Sequence, residues 1–239
     1  MSPNLDCVSK RTETFFLSSL FFFVLWYIYK KDKKFGLYFA IFSLIAACLT
    51  PFLTNYGPAV LMKIVSFTVF ALLLFASVQY KCLNLSNILT NLFRLNIGCM
   101  IITVSEWWVV LLLMLATITT PIVSVENGKV LLKSVFVAVN AWVLLSAFAL
   151  IMAYFYNPFF CINLNLVLAA IIIPTLIHFV SNQFLEARLL FLCLTIWIHL
   201  LQNSEQTWAQ VMEKFKFYWT KIQMGPPVCI ILGRRHSEK

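Results

Sequence analysis

Apolar residues in this chain fall in long unbroken runs, and polar residues gather in the short gaps between them. Runs at 15–29, 36–54, 58–80, 105–123, 130–156, 161–180 and 184–202 read as seven helical spans. The first, Phe15 to Tyr29, is shorter than the roughly 20 residues a span needs. Thr12 to Thr14 therefore extend it into the interface, with Trp26, Tyr27 and Tyr29 as an aromatic belt at the opposite end. Residues 1–14 form a short polar segment without a small-residue cleavage site, so the first run is expected to stay in the chain as a span. Pro51 and the turn Asn55–Pro58 end the second span. Lys63, near the start of the third, is expected to snorkel to the interface. No strand alternation suggests a barrel. The expected fold is all-α: a polytopic membrane protein of about seven transmembrane helices in a domain spanning 15–202.

Two stretches depart from this pattern. Between Leu83 and Glu106, the polar Asn84, Asn87, Asn91, Arg94 and Asn96 alternate with Leu89, Leu92, Phe93, Leu95 and Ile97. That mixture predicts a helix lying on the cytosolic face, followed by the fourth span; as a span in its own right it would raise the count to eight and invert everything downstream. In the segment 203–239, Trp208, Val211, Met212, Phe215, Trp219 and Ile222 recur at helical spacing. They form a stripe about 80° wide at 100° per residue. This predicts an amphipathic helix over 206–222 on the membrane surface, with Trp208, Phe215 and Trp219 as its main anchors and lysines toward anionic lipid.

Composition strengthens the membrane reading. The 239 residues are 62% hydrophobic and 11% charged, where a soluble domain carries about 25% charged residues; mean hydropathy is +0.89. The net charge of +9 is concentrated in Lys30, Lys31, Lys33 and Lys34 and in the C-terminal tail. It is therefore orientation charge and not a nucleic-acid face. With the 30–34 loop in the cytosol the N-terminus lies outside, and seven spans bring the basic tail into the cytosol as well. The seven cysteines are scattered without a CxxC pair and read as buried thiols, with no disulfide frame and no zinc site.

No chemistry-bearing motif appears: no HExxH, no GxSxG, no phosphate-binding glycine loop and no pair of intramembrane aspartates. No catalytic residue, metal ligand or cofactor is expected, and the chain reads as non-enzymatic. Ionisable groups at membrane depth are costly and mark the candidate sites. These are Arg94, Glu106, His178, Glu186, Arg188 and His199. Glu186 and Arg188 read as orientation and interface residues at a helix start. Glu106 reads as an interfacial carboxylate beside Trp107 and Trp108, and each histidine as packed and bonded to backbone.

The segment TLIH at 175–178, and the helix ending HLLQ at 199–202, resemble the C-terminal end of the transmembrane BAX inhibitor motif family, in its Golgi anti-apoptotic branch. LYF at 37–39 after the basic loop, and QYK at 79–81, are similar to that branch as well. The size and span plan resemble the divergent seven-transmembrane proteins of the cytomegalovirus unique short region. The resemblance implies a viral modulator of host defence, acting on immune-ligand trafficking or cell death, in endoplasmic reticulum or Golgi membranes. The family's ion leak is attributed to two aspartates, whose places fall at or beside Pro174 and Leu192 here. Expected partners are the lipid bilayer and host or viral membrane proteins, met through Ser134, Asn140, Ser146, Asn163 and Asn165. Two alternatives stand: a calcium leak with a degenerate aspartate sensor, and a solute or lipid transporter.

Overall fold

The computed structural model describes residues 5–53, 58–80, 85–156 and 164–202. Among them are eight α-helices, one 3-10 turn and one β-hairpin. Leu5–Lys31 (α1) takes in most of the polar lead and ends in the basic loop, and Lys34–Leu53 (α2) starts after only two intervening residues. Pro58–Gln79 (α3) opens on a proline, whose missing N–H is no loss at a first helical position. Ser86–Gly98 (α4) leads through the turn Ile101–Thr103 into Trp107–Ile118 (α5). Strands Ile122–Glu126 (β1) and Lys129–Lys133 (β2) pair antiparallel, with Ile122 opposite Lys133. Val139–Phe155 (α6), Leu164–Ser181 (α7) and Phe184–Gln202 (α8) complete the bundle.

The described residues are mostly helical, in keeping with the all-α expectation, and the hairpin is the one departure from it among them. The run pattern places residues 122–123 at the end of the fourth span, 130–133 at the start of the fifth and 124–129 in the gap between them. Asn127 (φ 53°) and Gly128 (φ 72°) instead form the turn. Two central residues at positive φ make a type I′ turn, whose twist matches that of the strands it joins. Strand β1 is fastened to the start of α4: the Ser86 hydroxyl donates to the Val123 carbonyl at 2.7 Å, and the Val123 N–H donates to Thr90 Oγ1 at 3.0 Å.

Helix α4 is also not a surface helix. Leu89, Phe93 and Ile97 are buried, and Phe93 stacks on Phe70 of α3 at 5.6 Å and meets Trp142 of α6 edge-on at 5.1 Å. It runs antiparallel to α3, because Met100, just past its end, reaches Lys63 near the start of α3. Helix α5 returns: Trp108 at its start meets Tyr156 beyond α6, and Ala116 near its end accepts the indole N–H of Trp142 near the start of α6 at 2.9 Å. Helices α6 and α7 are antiparallel, with Asn140 opposite His178. Among the described residues the chain therefore traverses the bundle eight times. The α7–α8 corner lies beside the α1–α2 corner, where Lys30 bonds Gln183 and Lys33 bonds Glu186. A seven-span plan puts those corners on opposite sides; burial of α4 adds the traverse that brings them together.

By length and composition, one helix among the described residues, over Leu61–Gln79, is long and apolar enough to cross a membrane. Four others are apolar but shorter. The 12 residues of α5 rise about 18 Å against a hydrocarbon core of about 30 Å. The core between the helices is continuous, centred on Phe22, Phe70, Phe93, Trp142, Phe184 and Phe191. A smaller cluster joins Ala46 and Ala47 of α2, Ile64 and Phe67 of α3 and Ile196 of α8.

Candidate functional site

Two tight corners build the site. At the first, the Asp32 carboxylate accepts the Lys34 backbone N–H at 2.9 Å, occupying one of the free donors at the start of α2. At the second, Asn182 takes a left-handed φ of 53° and its N–H bonds the His178 carbonyl at 2.8 Å, closing α7. Only Gln183 then separates it from α8, so the first turn of α8 is set against the end of α1.

Glu186 stands in that first turn, where the helix dipole favours a carboxylate. It is buried at 2% exposure. Its Oε1 accepts the Tyr29 hydroxyl at 2.7 Å and the Lys33 ammonium at 3.2 Å, and Lys33 Nζ also lies 3.9 Å from the centre of the Tyr29 ring. Tyr29 is held between Trp26 and Phe75, at ring distances of 5.6 and 5.4 Å. Gly36 of α2 makes room for this packing, since a Cβ there would come within 2.8 Å of both Phe75 and Tyr29. Burial, then the like charge of Lys33, lowers the Lys30 ammonium from the usual lysine range. Glu186 is thus not an edge residue turned to the interface. It is the centre of a buried knot tying α1 to α8.

Arg188 follows two residues later, about 200° further round the helix at 100° per residue, and faces a different neighbourhood. It is buried at 6% exposure, its guanidinium lies 5.6 Å from the Phe184 ring, and its Nη1 is buried without a hydrogen-bond partner. Lys63 does not snorkel. It is buried, with its ammonium against the Met100 sulfur and 5.3 Å from the Tyr154 ring centre.

The remaining candidates lie apart. His178 is buried, and its Nε2 meets Asn140 Oδ1 at 2.8 Å instead of a backbone carbonyl, leaving Nδ1 unpartnered. Arg94 on α4 is half-buried with Nε unpartnered, and Glu106 precedes α5 without a side-chain capping bond. His199 lies in α8, but its side chain falls outside the described residues, as do Asn163 and the whole predicted 206–222 helix with Trp208, Phe215 and Trp219. Ser146 is buried and bonds its own helix, at the Val143 carbonyl. Cys99 and Cys193 are buried thiols, whereas Cys48 is exposed on α2. Among the described residues no group of three or more His, Cys, Asp or Glu side chains could hold a metal ion. The partners of Glu186 were hidden from sequence reasoning because Tyr29 on α1 and Lys33 in the α1–α2 corner lie more than 150 residues away in the chain.

No family model, curated protein or solved structure matches the chain.

Proposed function

We propose that this chain is a non-enzymatic multi-pass membrane protein that works through contacts between its helices and those of other membrane proteins. The observation that carries this reading is the outer face of the bundle. Large apolar side chains point outward from successive helices, among them Phe21 and Phe23 on α1, Phe42 and Ile45 on α2, Leu111 and Leu115 on α5, and Phe148 on α6. Exposed apolar surface spread over so many helices is costly in water and suits a bilayer or another helix. The eight traverses then serve as membrane passes, the short helix α4 being partly buried by its neighbours.

A calcium leak is the less favoured reading. Glu186, the one buried carboxylate among the described residues, is occupied by Tyr29 and Lys33. Pro174 and Leu192 offer no acid. The narrower role, a viral modulator of host defence in endoplasmic reticulum or Golgi membranes, rests on the resemblance of the TLIH and HLLQ segments.

Three measurements on expressing cells test the proposal. The chain should stay with membranes on alkaline carbonate extraction, and release into the supernatant would refute membrane integration. Tags at residues 1 and 239 should show equal antibody access after selective permeabilisation, with a tag between Lys31 and Asp32 on the opposite side; unequal end tags would restore an odd pass count. A photo-crosslinking residue at outward Phe148 should capture discrete membrane proteins that one at inward Leu150 does not. Identical patterns would count against partner contacts through the outer face.

A further inference from the structure

We propose that the outer edge of β2 docks an extended segment of a partner protein as an antiparallel third strand, one carrying an acidic residue two positions from an apolar one. In an antiparallel strand the N–H and C=O of one residue point to the same edge, and successive residues alternate between the two edges. Glu126 and Lys129 close the two-residue turn, so the pairs that exchange ladder bonds are Glu126–Lys129, Ser124–Leu131 and Ile122–Lys133. Val123 accordingly turns its backbone groups to the outer edge of β1, where Ser86 and Thr90 of α4 take up both. By the same alternation Val130 and Leu132 turn theirs to the outer edge of β2. Among the described residues nothing bonds these groups, and no helix packs along β2 as α4 packs along β1. Two N–H and two C=O groups thus stand in the arrangement that strand addition uses.

The side chains select the partner. Those of Val130 and Leu132 join the core, so an incoming strand meets Lys129, Leu131 and Lys133 on the outward face, all three exposed. Lys133 already holds Glu126 at 2.5 Å, whereas Lys129 has no ion pair among the described residues. Side chains directly opposite across a ladder attract when their charges differ and repel when they match. The matching strand therefore sets an acid against Lys129 and an apolar residue against Leu131. A second copy fits less well, because symmetric pairing about Leu131 sets Lys129 of each copy against Lys133 of the other. The hairpin also stands at the basic end of the bundle: Asn140, near the start of α6, meets His178 at the end of α7, and that end lies beside the Lys30–Lys34 corner. Such charge draws an acidic segment toward the edge.

The test uses the purified full chain in phosphatidylcholine nanodiscs and a dye-labelled peptide, Thr-Glu-Thr-Val-Thr-Glu-Thr, read by fluorescence anisotropy. Saturable binding is expected. With the valine opposite Leu131, the two threonines beside it turn their N–H groups to β2, and the valine turns its own away. Methylating those two threonine nitrogens should abolish binding, while methylating the valine nitrogen should preserve it. Leu132→Pro removes one edge donor and no ladder bond, a place where proline is tolerated; the variant should keep the wild-type Tm and lose the peptide. Lys129→Glu should weaken binding about five-fold and favour the peptide with lysine in place of glutamate. Should Leu132→Pro fail to fold, the methylated peptides and Lys129→Glu carry the same comparison. No binding by the wild type, or binding indifferent to threonine methylation, would overturn the proposal. Binding that survives methylation and Leu132→Pro but falls with Lys129→Glu would make this a charged surface of the kind anionic lipid serves, and would overturn strand addition. A wild-type dimer that Leu132→Pro dissociates would assign the edge to a second copy and overturn the partner.

Discussion

Glu186 and Arg188 are neighbours in sequence and strangers in space. The carboxylate faces α1 and takes bonds from Tyr29 and Lys33, while the guanidinium, turned to another side of α8, lies against the Phe184 ring with its Nη1 unpartnered. Both are buried to a similar degree. Burial alone therefore says little about a charged residue's role. What separates them is satisfaction: the acid has its partners built into the fold, and the base presents an open donor. A helix repeat of 3.6 residues makes this division unavoidable, since positions two apart point to nearly opposite sides.

The largest expected effect sets the two residues against each other. Glu186→Ala strands Tyr29 and Lys33, and breaking a buried ion pair costs roughly 3–5 kcal/mol. Because Lys33 is about one-third exposed and can turn to water, the lower end, about 3 kcal/mol, is expected. Arg188→Met removes a buried charge with an unpartnered donor and should be neutral or stabilising. Denaturation in mild detergent measures both. A similar loss for the two variants would erase the distinction between a satisfied and an open site.

Tyr29→Phe comes next. It keeps the ring between Trp26 and Phe75 and removes only the hydroxyl that bonds Glu186. Hydrogen bonds to charged groups are worth about 1.5–3 kcal/mol, so a loss near 2 kcal/mol is expected in the same assay. An unchanged midpoint would mean that Lys33 alone satisfies the carboxylate. Gly36→Ala probes the same knot from α2. The added methyl must displace the Tyr29 and Phe75 rings, and overpacking of this kind costs about 1–3 kcal/mol. The double variant Gly36→Ala/Tyr29→Phe should lose less than the sum of the two, because the methyl and the hydroxyl act on one ring; strict additivity would place Gly36 outside the knot.

Much of the helical pattern was legible from apolar run lengths: α2, α3, α7 and α8 start and stop within a few residues of the runs that predict them. What failed was the polar stretch of α4. Its asparagines suggested a helix on the membrane surface, yet Asn96 is buried within the bundle and Phe93 packs between Phe70 and Trp142. Periodicity shows which face of a helix is apolar, but not whether other helices cover the rest. The hairpin did have a local signal. Asn127-Gly128 between Val125 and Val130 is a strong two-residue turn sequence, and it was masked by the hydrophobicity of the residues around it. The charged groups of the site were visible, but the pairing of Glu186 with Tyr29, across 157 residues, was not. Side-chain partners on separate helices leave no trace in spacing.

The smallest effect is expected at Lys33, and it shows how far the knot depends on charge. Its ammonium lies 3.2 Å from Glu186 and over the Tyr29 ring, but its side chain is 35% exposed. Partly exposed pairs of this kind contribute about 0.2–1 kcal/mol, because water and salt compete for both ions. Lys33→Gln should therefore lower stability by less than about 1 kcal/mol, and wild type and variant should converge as salt screens the pair at roughly 1 M. Tyr29→Phe should keep its deficit at that salt, since a buried hydrogen bond is little screened. If Lys33→Gln instead matches Glu186→Ala, the carboxylate is held chiefly by the ion pair. The tyrosine would then be a packing partner of the salt bridge and not the group that makes burial of Glu186 tolerable.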